Sequence, residues 1–232
     1  MAELIVALDL PDGKEALALA ARLPGLTWAK IGPVLYVREG PGLVRELRAR
    51  GIRVFLDLKW HDIPNTVAGA VAGARELGVE LATVHCLGGA AMLRAAREAA
   101  GAPGAFGGLA LVGVTVLTSL DAGAFAAVLG RGVPDLGAEV VRLARVARDA
   151  GLAGVVASGQ EAGLLREALG PEPWLVVPGI RPPGAGADDQ ARAVTPGEAV
   201  RRGATHLVVG RPITQAADPA RAYQAVLEGM RS

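Results

Sequence analysis

The sequence predicts an α/β protein with the architecture of a (β/α)8, or TIM, barrel in a single domain. Two observations lead to this prediction. Short apolar runs alternate with amphipathic segments in about eight pairs, and 232 residues is close to the usual size of such a barrel. A doubly wound open sheet is the competing architecture, and eight units without a long insertion favour the barrel. Since no linker or shift in composition divides the chain, we expect one domain over residues 1–232.

The expected strands are short runs rich in apolar residues, bounded by turn residues. They are Leu4–Asp9, Thr27–Ile31, Val54–Leu58, Leu81–His85, Leu109–Val116, Gly154–Ala157, Leu175–Val177 and His206–Val209. Between them, apolar residues recur at spacings of three and four with Arg and Glu on the other face, which is typical of amphipathic helices. Examples are Lys14–Leu23, Leu43–Arg50, Ala138–Ala150 and Pro219–Met230.

Net charge, cysteine content and the pattern of apolar residues bear on which partners and which compartment to expect. A formal net charge of +1 gives no electrostatic reason to expect a nucleic acid or an anionic membrane. Cys86 is the single cysteine, so no internal disulfide can form, and we expect a reducing cytoplasmic environment. The first residues lack the pattern of a signal peptide, and no uninterrupted apolar run reaches 18 residues. We therefore expect neither secretion nor a membrane span.

The most informative stretch runs from Phe55 to Thr66, where an apolar strand ends in charged residues. Side chains two apart on a strand share a face, so Asp57 and Lys59 are expected to point together, away from Leu56 and Leu58. Such a cluster is costly to bury unless its charges are paired. A purely structural ion pair is the alternative to a catalytic one.

The same stretch continues beyond the strand with a further acid and a helix start. Asp62 follows the strand, and Pro64 holds the preceding residue extended. Asn65 or Thr66 is expected to cap a helix that begins near Val67.

Polar residues cluster where the expected strands end, and that is where barrel enzymes carry their catalytic groups. We therefore predict an active site at this rim, with the following candidates in chain order: Asp9, Lys30, Asp57, Lys59, His85, Thr118, Ser119, Pro178, Arg181, Gly210 and Arg211. The loops after the last two strands of such barrels often hold a phosphate. The Gly/Pro-rich segment 178–190, which includes Gln190, and the Gly210-Arg211 pair fit that role, with an ordinary turn and surface arginines as the alternative.

Other candidate residues are given structural roles. His85 has no Glu or Cys at ligand spacing, so we expect it to line the mouth of the barrel rather than to bind a metal. His206 begins the last strand at the opposite end and is expected to be structural, as is Cys86 in the core. Gly88-Gly89 lacks the spacing of a dinucleotide fingerprint.

The motif Asp57-x-Lys59-x-x-Asp62, followed by Ile63-Pro64-Asn65-Thr66, resembles the signature of the orotidine 5′-phosphate decarboxylase family. The likeness extends over essentially the whole chain and is closest to the short, monofunctional bacterial form. Further segments that share it are Ala7-Leu8-Asp9, Lys30-Ile31-Gly32, Thr115-Val116-Leu117-Thr118-Ser119, Pro178-Gly179-Ile180-Arg181, Asp189-Gln190 and Gly210-Arg211-Pro212. Trp60 stands where the family often has Phe.

The resemblance implies loss of CO2 from C6 of orotidine 5′-monophosphate without metal or organic cofactor. It implies that Lys59 protonates C6, that Asp57, Asp62 and Lys30 complete the charge network, and that Asp9 and Lys30 hold the ribose. By the same resemblance, other residues bind the pyrimidine and the phosphate: Thr118, Ser119, Pro178, Arg181, Gln190, Gly210 and Arg211. Asp62, Ile63 and Thr66 would reach into the site of a second subunit, which implies a homodimer.

Two other functions stay open at this stage. One is a Mg²⁺-dependent ketose-phosphate decarboxylase or aldolase of the same suprafamily, because such enzymes share the Asp-x-Lys-x-x-Asp motif. The other is a noncatalytic barrel that senses a nucleotide. Binding alone has no need of a lysine between two carboxylates, so the intact motif favours an enzyme.

Overall fold

Eight parallel strands close into a barrel, with the eighth strand hydrogen-bonded to the first. The structure, a computed structural model, describes residues 2–101, 108–181 and 194–232. The strands are β1 Glu3–Ala7, β2 Trp28–Ile31, β3 Arg53–Trp60, β4 Leu81–His85, β5 Ala110–Val114, β6 Gly154–Val156, β7 Trp174–Val177 and β8 His206–Val209. The predicted barrel architecture is confirmed, and the open sheet is excluded by the pairing of β1 with β8.

Helices follow the strands and cover the outside of the barrel. They are α1 Gly13–Arg22, α2 Pro33–Ala49, α3 Pro64–Glu76, α4 Gly89–Ala100, α5 Ala122–Leu129, α6 Leu136–Asp149, α7 Ala162–Leu169, α8 Pro196–Arg201, α9 Arg211–Thr214 and α10 Pro219–Gly229, with a 3-10 turn at Cys86–Gly88. Side-chain oxygens cap several of these helices, as Asp12 does for α1 and Thr195 for α8. Within the described ranges, no helix combines the length and the apolar character needed to cross a membrane.

Two helices begin earlier than the sequence predicts. Helix α3 starts at Pro64, and neither Asn65 nor Thr66 caps it, so that prediction is wrong. Proline suits the first helical position, because the N–H that it lacks would have no partner there in any case. Helix α2 starts at Pro33 rather than Leu43, and its two halves meet at a kink where Gly40 has φ 59°.

Strand alternation separates two apolar cores. One lies between the strands and the helices, and it includes Leu56 with Leu58 packed against it. The other fills the inside of the barrel with Ile5, Ala7, Trp28, Phe55, Leu81, Ala110, Val112, Val176 and Val208. Inward-facing Phe55 is followed two residues later by Asp57, so charged side chains stand directly above the inner core.

An aromatic cluster fills the barrel at the N-terminal ends of the strands. The ring of buried His206 lies 4.6 Å from that of Trp174 and 6.0 Å from that of Trp28, measured between centroids. The guanidinium of Arg53 lies 4.4 Å from the centre of the Trp28 ring and forms an ion pair with Glu3. This end of the barrel is packed, which agrees with a structural role for His206.

Burial lowers the pKa of His206 from 6.5 to about 4. The folded protein therefore prefers neutral His206, and the resulting stability is present above pH 6.5 and lost as the pH falls from 6.5 toward 4. We expect the free energy of unfolding to fall by about 2 kcal/mol from this residue alone between pH 7 and pH 4.5. Urea unfolding of the wild type and of His206→Phe at both pH values measures it. The difference in unfolding free energy between wild type and His206→Phe should change with pH. A difference independent of pH would contradict the lowered pKa of His206.

Candidate active site

A cavity of about 440 Å³ opens among the C-terminal ends of the strands. Its apolar floor is the top of the inner core, formed by Ala7, Phe55, Val156, Val176 and Val208. Apart from Phe55 these are small side chains, and they leave room above them. Polar and charged residues form the walls, so the cavity suits a ligand with an apolar body and charged substituents.

Three strands bring two carboxylates and two ammonium groups into one alternating chain. Lys30 Nζ lies 2.9 Å from Asp9 Oδ1 and 3.6 Å from Asp57 Oδ2. Lys59 Nζ donates a hydrogen bond to Asp57 Oδ1 at 2.9 Å. The Lys30 and Asp57 side chains are only 10% and 13% exposed, so each depends on its partner of opposite charge. Asp57 and Lys59 do lie together, as their spacing predicts.

The backbone that carries this pair is not a regular strand. Lys59 has φ 51°, the one positive value at a non-glycine residue in the described part of the chain. The register between β3 and β4 also shifts between Leu56 and Trp60. A left-handed residue with a side chain costs about 1–2 kcal/mol, so neighbouring contacts must hold Lys59 in place.

Thr83 on β4 supplies such contacts, and it was not among the residues predicted from the sequence. Its hydroxyl oxygen accepts a hydrogen bond from the backbone N–H of Lys59 at 2.8 Å. The same hydroxyl donates to Asp57 Oδ1 at 3.0 Å. Thr83 is fully buried and interrupts an apolar strand two residues before its end. That interruption is a signal in the sequence that could have identified it.

A second residue outside the predicted set makes room for the charges. Gly32 ends the loop between β2 and α2, and a Cβ there would lie 3.1 Å from Asp9 Oδ1 and 3.2 Å from Lys30 Nζ. Those separations are tighter than ordinary carbon contacts, so any side chain at Gly32 would press on the Asp9–Lys30 pair.

The remaining polar wall comes from the predicted loops after β5, β7 and β8. Residues predicted from the sequence that line the cavity there are Thr118, Pro178, Arg181, Gly210 and Arg211. Gly179 and Gln215 line it too. Arg181 is buried and Arg211 begins α9, so two guanidinium groups reach the same cavity as the two lysines.

Other predicted residues do not line this cavity. Asp62, Ile63, Thr66 and Ser119 are exposed on the surface of the chain. Asp62 Oδ1 accepts a hydrogen bond from the N–H of Ile63 at 2.6 Å. Gln190, together with most of the Gly/Pro-rich segment, lies outside the described residues.

His85 ends β4 at the same rim of the barrel, beside the residues that line the cavity. Its ring stacks on that of His61 with centroids 5.3 Å apart. Burial lowers the pKa of His85 to about 4, with further lowering by His61 and Lys59. Its Nδ1 accepts from the N–H of Leu87 at 3.3 Å, as suits a neutral ring. Next to it, burial raises the pKa of Cys86 to about 12, in keeping with a core residue.

We find no grouping of three or more His, Cys, Asp or Glu side chains placed to hold a metal ion within residues 2–101, 108–181 and 194–232. The carboxylates of Asp9 and Asp57 are instead each in contact with a lysine.

The fold and the cavity define a class of protein. A closed (β/α)8 barrel with a charged cavity at the C-terminal ends of its strands is the arrangement of barrel enzymes. The model of the family described as "Orotidine 5'-phosphate decarboxylase / HUMPS family" matches residues 2–226. The chain belongs to this family.

Individual relatives agree with the family match. A protein of Alkalilimnicola ehrlichii named orotidine 5′-phosphate decarboxylase is 53% identical over 217 residues, which cover 93% of this chain and 91% of the relative. A protein of the same name from Nitrosococcus oceani is 48% identical, with 96% of this chain and 95% of the relative covered. The crystal structure of orotidine 5′-phosphate decarboxylase from Lactobacillus acidophilus is similar with a TM-score of 0.88 and 33% identity, covering 100% of both chains.

Proposed function

We propose that this protein is a carboxy-lyase that converts orotidine 5′-monophosphate into uridine 5′-monophosphate and CO2, the last step in making a pyrimidine nucleotide. Family membership and the names of the relatives support the substrate. The observation that carries the chemistry is the carboxylate of Asp57, which lies between the ammonium groups of Lys30 and Lys59 inside the cavity. We also propose that residues 1–232 act as one decarboxylase domain.

Lys59 has the position and the proton that the reaction needs. When the bond between C6 and the carboxylate breaks, its electron pair stays on C6 in an sp² orbital, and CO2 leaves. No carbonyl next to C6 can take up this charge as an enolate, so a cation must lie close to the carbon. The Lys59 ammonium provides that charge and then gives its proton to C6, which forms uridine 5′-monophosphate and leaves a neutral amine that solvent protonates again.

Asp57 acts on both the lysine and the substrate in this proposal. Its hydrogen bond with Lys59 Nζ fixes the direction of the ammonium group. It would also lie near the substrate carboxylate, and the repulsion between the two is relieved as neutral CO2 departs. Lys30 balances the charge of Asp57 from the other side, and with Asp9, whose side chain is 61% exposed at the mouth, it would hold the ribose hydroxyls.

The residues of the β7 and β8 loops are proposed to bind the phosphate. Arg181 and Arg211 line the cavity with Gly210 and Pro178, and guanidinium groups bind phosphate oxygens in pairs of hydrogen bonds. Gln190 is assigned to the same group by its place in the family motif. Thr118 lines the cavity on the β5 side, and with Ser119 it would meet the edge of the pyrimidine.

A Mg²⁺-dependent enzyme acting on a ketose phosphate is the competing proposal, because the suprafamily motif is shared. In this chain the Lys30 ammonium already lies between Asp9 and Asp57, the two carboxylates that the described residues contribute to the cavity. A divalent cation would have to displace that ammonium or bind beside it against charge repulsion. The pairing therefore supports the nucleotide decarboxylase.

The assay that tests the proposal mixes purified protein with orotidine 5′-monophosphate in EDTA and follows the fall in absorbance and the formation of uridine 5′-monophosphate. We expect rapid conversion that added Mg²⁺ does not accelerate. Folded protein that leaves this substrate unchanged, but cleaves a 3-keto sugar phosphate once Mg²⁺ is supplied, would overturn the proposal in favour of the competing one.

Arg211→Ala tests the phosphate site. We expect kcat/KM for orotidine 5′-monophosphate to fall by at least about 10–10²-fold, because a charge-assisted contact with the phosphate contributes about 1.5–3 kcal/mol and also helps to organise the site. Orotidine, which lacks the phosphate, is the matched substrate, and wild type and variant should process it at similar rates. An equal loss with both substrates would place Arg211 outside the phosphate site.

The protein is further proposed to be a cytoplasmic homodimer with two shared sites. Ile63 is 67% exposed, and Asp62 and Thr66 beside it are exposed as well, so their side chains are available to a second copy of the chain. In the family arrangement, these three residues of one chain would complete the site of the other. Asp62 of the first chain would then be the second carboxylate near Lys59 of the second chain.

Mixed dimers test this sharing. Lys59→Ala and Asp62→Ala should each be nearly inactive alone. After the two are unfolded together and refolded, one site in each mixed dimer has both native residues, so about a quarter of the wild-type activity should return, since half of random dimers are mixed. Activity that stays at the level of the separate variants would show that Asp62 acts within its own subunit.

A further inference from the structure

The strand that carries the central charges is irregular opposite a single residue. Leu56 pairs with Ala82 and Trp60 pairs with Val84, so three residues of β3, from Asp57 to Lys59, face Thr83 alone on β4. A bulge of this kind leaves backbone groups without their regular ladder partners. The Thr83 hydroxyl takes the place of a backbone carbonyl of the sheet, because its oxygen accepts a hydrogen bond from the N–H of Lys59.

We infer that Thr83 is a positioning residue for the decarboxylation, because its one hydroxyl holds both the backbone of Lys59 and the carboxylate of Asp57. The inference rests on the proposed function of the same site. Thr83 does not line the cavity and need not touch the substrate, so it acts through these two residues.

The direction of the hydrogen bonds makes the arrangement specific. The Lys59 N–H can only donate, so the Thr83 oxygen must accept and its own proton is left for Asp57 Oδ1. That carboxylate oxygen also receives the Lys59 ammonium. The result is a closed loop from the backbone of Lys59 through Thr83 and Asp57 back to the tip of Lys59.

Loss of the hydroxyl would affect both ends of that loop. The N–H of Lys59 would lose its partner, and the largely buried carboxylate of Asp57 would lose one donor. The Lys59 backbone could then leave its left-handed conformation, which turns the ammonium away from the reacting carbon. Contacts with the phosphate lie on other strands and would be unchanged, so the effect should be on turnover rather than on binding.

The test compares Thr83→Val, which keeps the shape and removes the hydroxyl, with Thr83→Ser, which keeps the hydroxyl. The matched control is Thr115→Val, since Thr115 is equally buried and its hydroxyl donates to the backbone oxygen of Val156 at 3.0 Å, on a strand away from Asp57 and Lys59. For each protein, kcat and KM are measured with orotidine 5′-monophosphate. Calorimetric titration with uridine 5′-monophosphate gives the product affinity and the number of intact sites.

We expect kcat per intact site to fall at least about 10-fold in Thr83→Val, while KM and product affinity stay within about twofold. Thr83→Ser should retain about a third or more of the wild-type kcat, and Thr115→Val should be close to wild type. If Thr83→Val does not fold, Thr83→Ala is the hydroxyl-free variant, with the same expected result.

Two results would overturn the inference. One is a kcat per intact site in the hydroxyl-free variant that matches the wild type, which would leave Thr83 with only a structural role. The other is an equal loss in Thr83→Ser and Thr83→Val, which would assign the effect to packing. Failure of the proposed function is separate, because wild-type protein would then not convert orotidine 5′-monophosphate at all.

Discussion

The carboxylate of Asp57 is the group on which the site depends. One of its oxygens receives the Lys59 ammonium and the Thr83 hydroxyl, and the other faces the Lys30 ammonium. The members of this network lie on three neighbouring strands, β2 to β4, and Asp9 lies just beyond the end of β1. A group with that many charges can stay at the top of a barrel core only if each charge is paired. The closed barrel brings the paired charges together, because its parallel strands end at the same rim.

The surrounding structure makes the network possible. Small side chains in the inner core leave a cavity above Phe55, and Gly32 leaves space beside the Asp9–Lys30 pair. The irregular part of β3 places Lys59 in a left-handed conformation. Strain of this kind persists only where neighbours hold it, and it occurs often at functional sites. The opposite end of the barrel is filled by Trp28, Trp174 and His206, and it serves stability.

Periodicity was sufficient to predict the barrel, because alternating strands and amphipathic helices leave few ways to bury their apolar faces. Spacing along β3 predicted the contact between Asp57 and Lys59, but it did not predict the left-handed backbone at Lys59. Thr83 escaped prediction because its role depends on the register between two strands, which no local pattern records. The start of α3 was missed since Pro64 at the first helical position took precedence over the side-chain caps that follow it. Asp62, Ile63 and Thr66 do not line the cavity of their own chain, so their roles rest on the family motif alone and stay predictions.

The most direct test of the central claim is the rate of uridine 5′-monophosphate formation by Lys59→Ala with and without added methylammonium. The claim is that an ammonium held by Asp57 supplies both the charge and the proton. It predicts a loss of about 10²–10⁴-fold without the amine and partial recovery that rises with methylammonium concentration. Tetramethylammonium, which has the charge but no proton to give, should restore nothing. Near-wild-type turnover by Lys59→Ala alone, or equal recovery with both cations, would contradict the account.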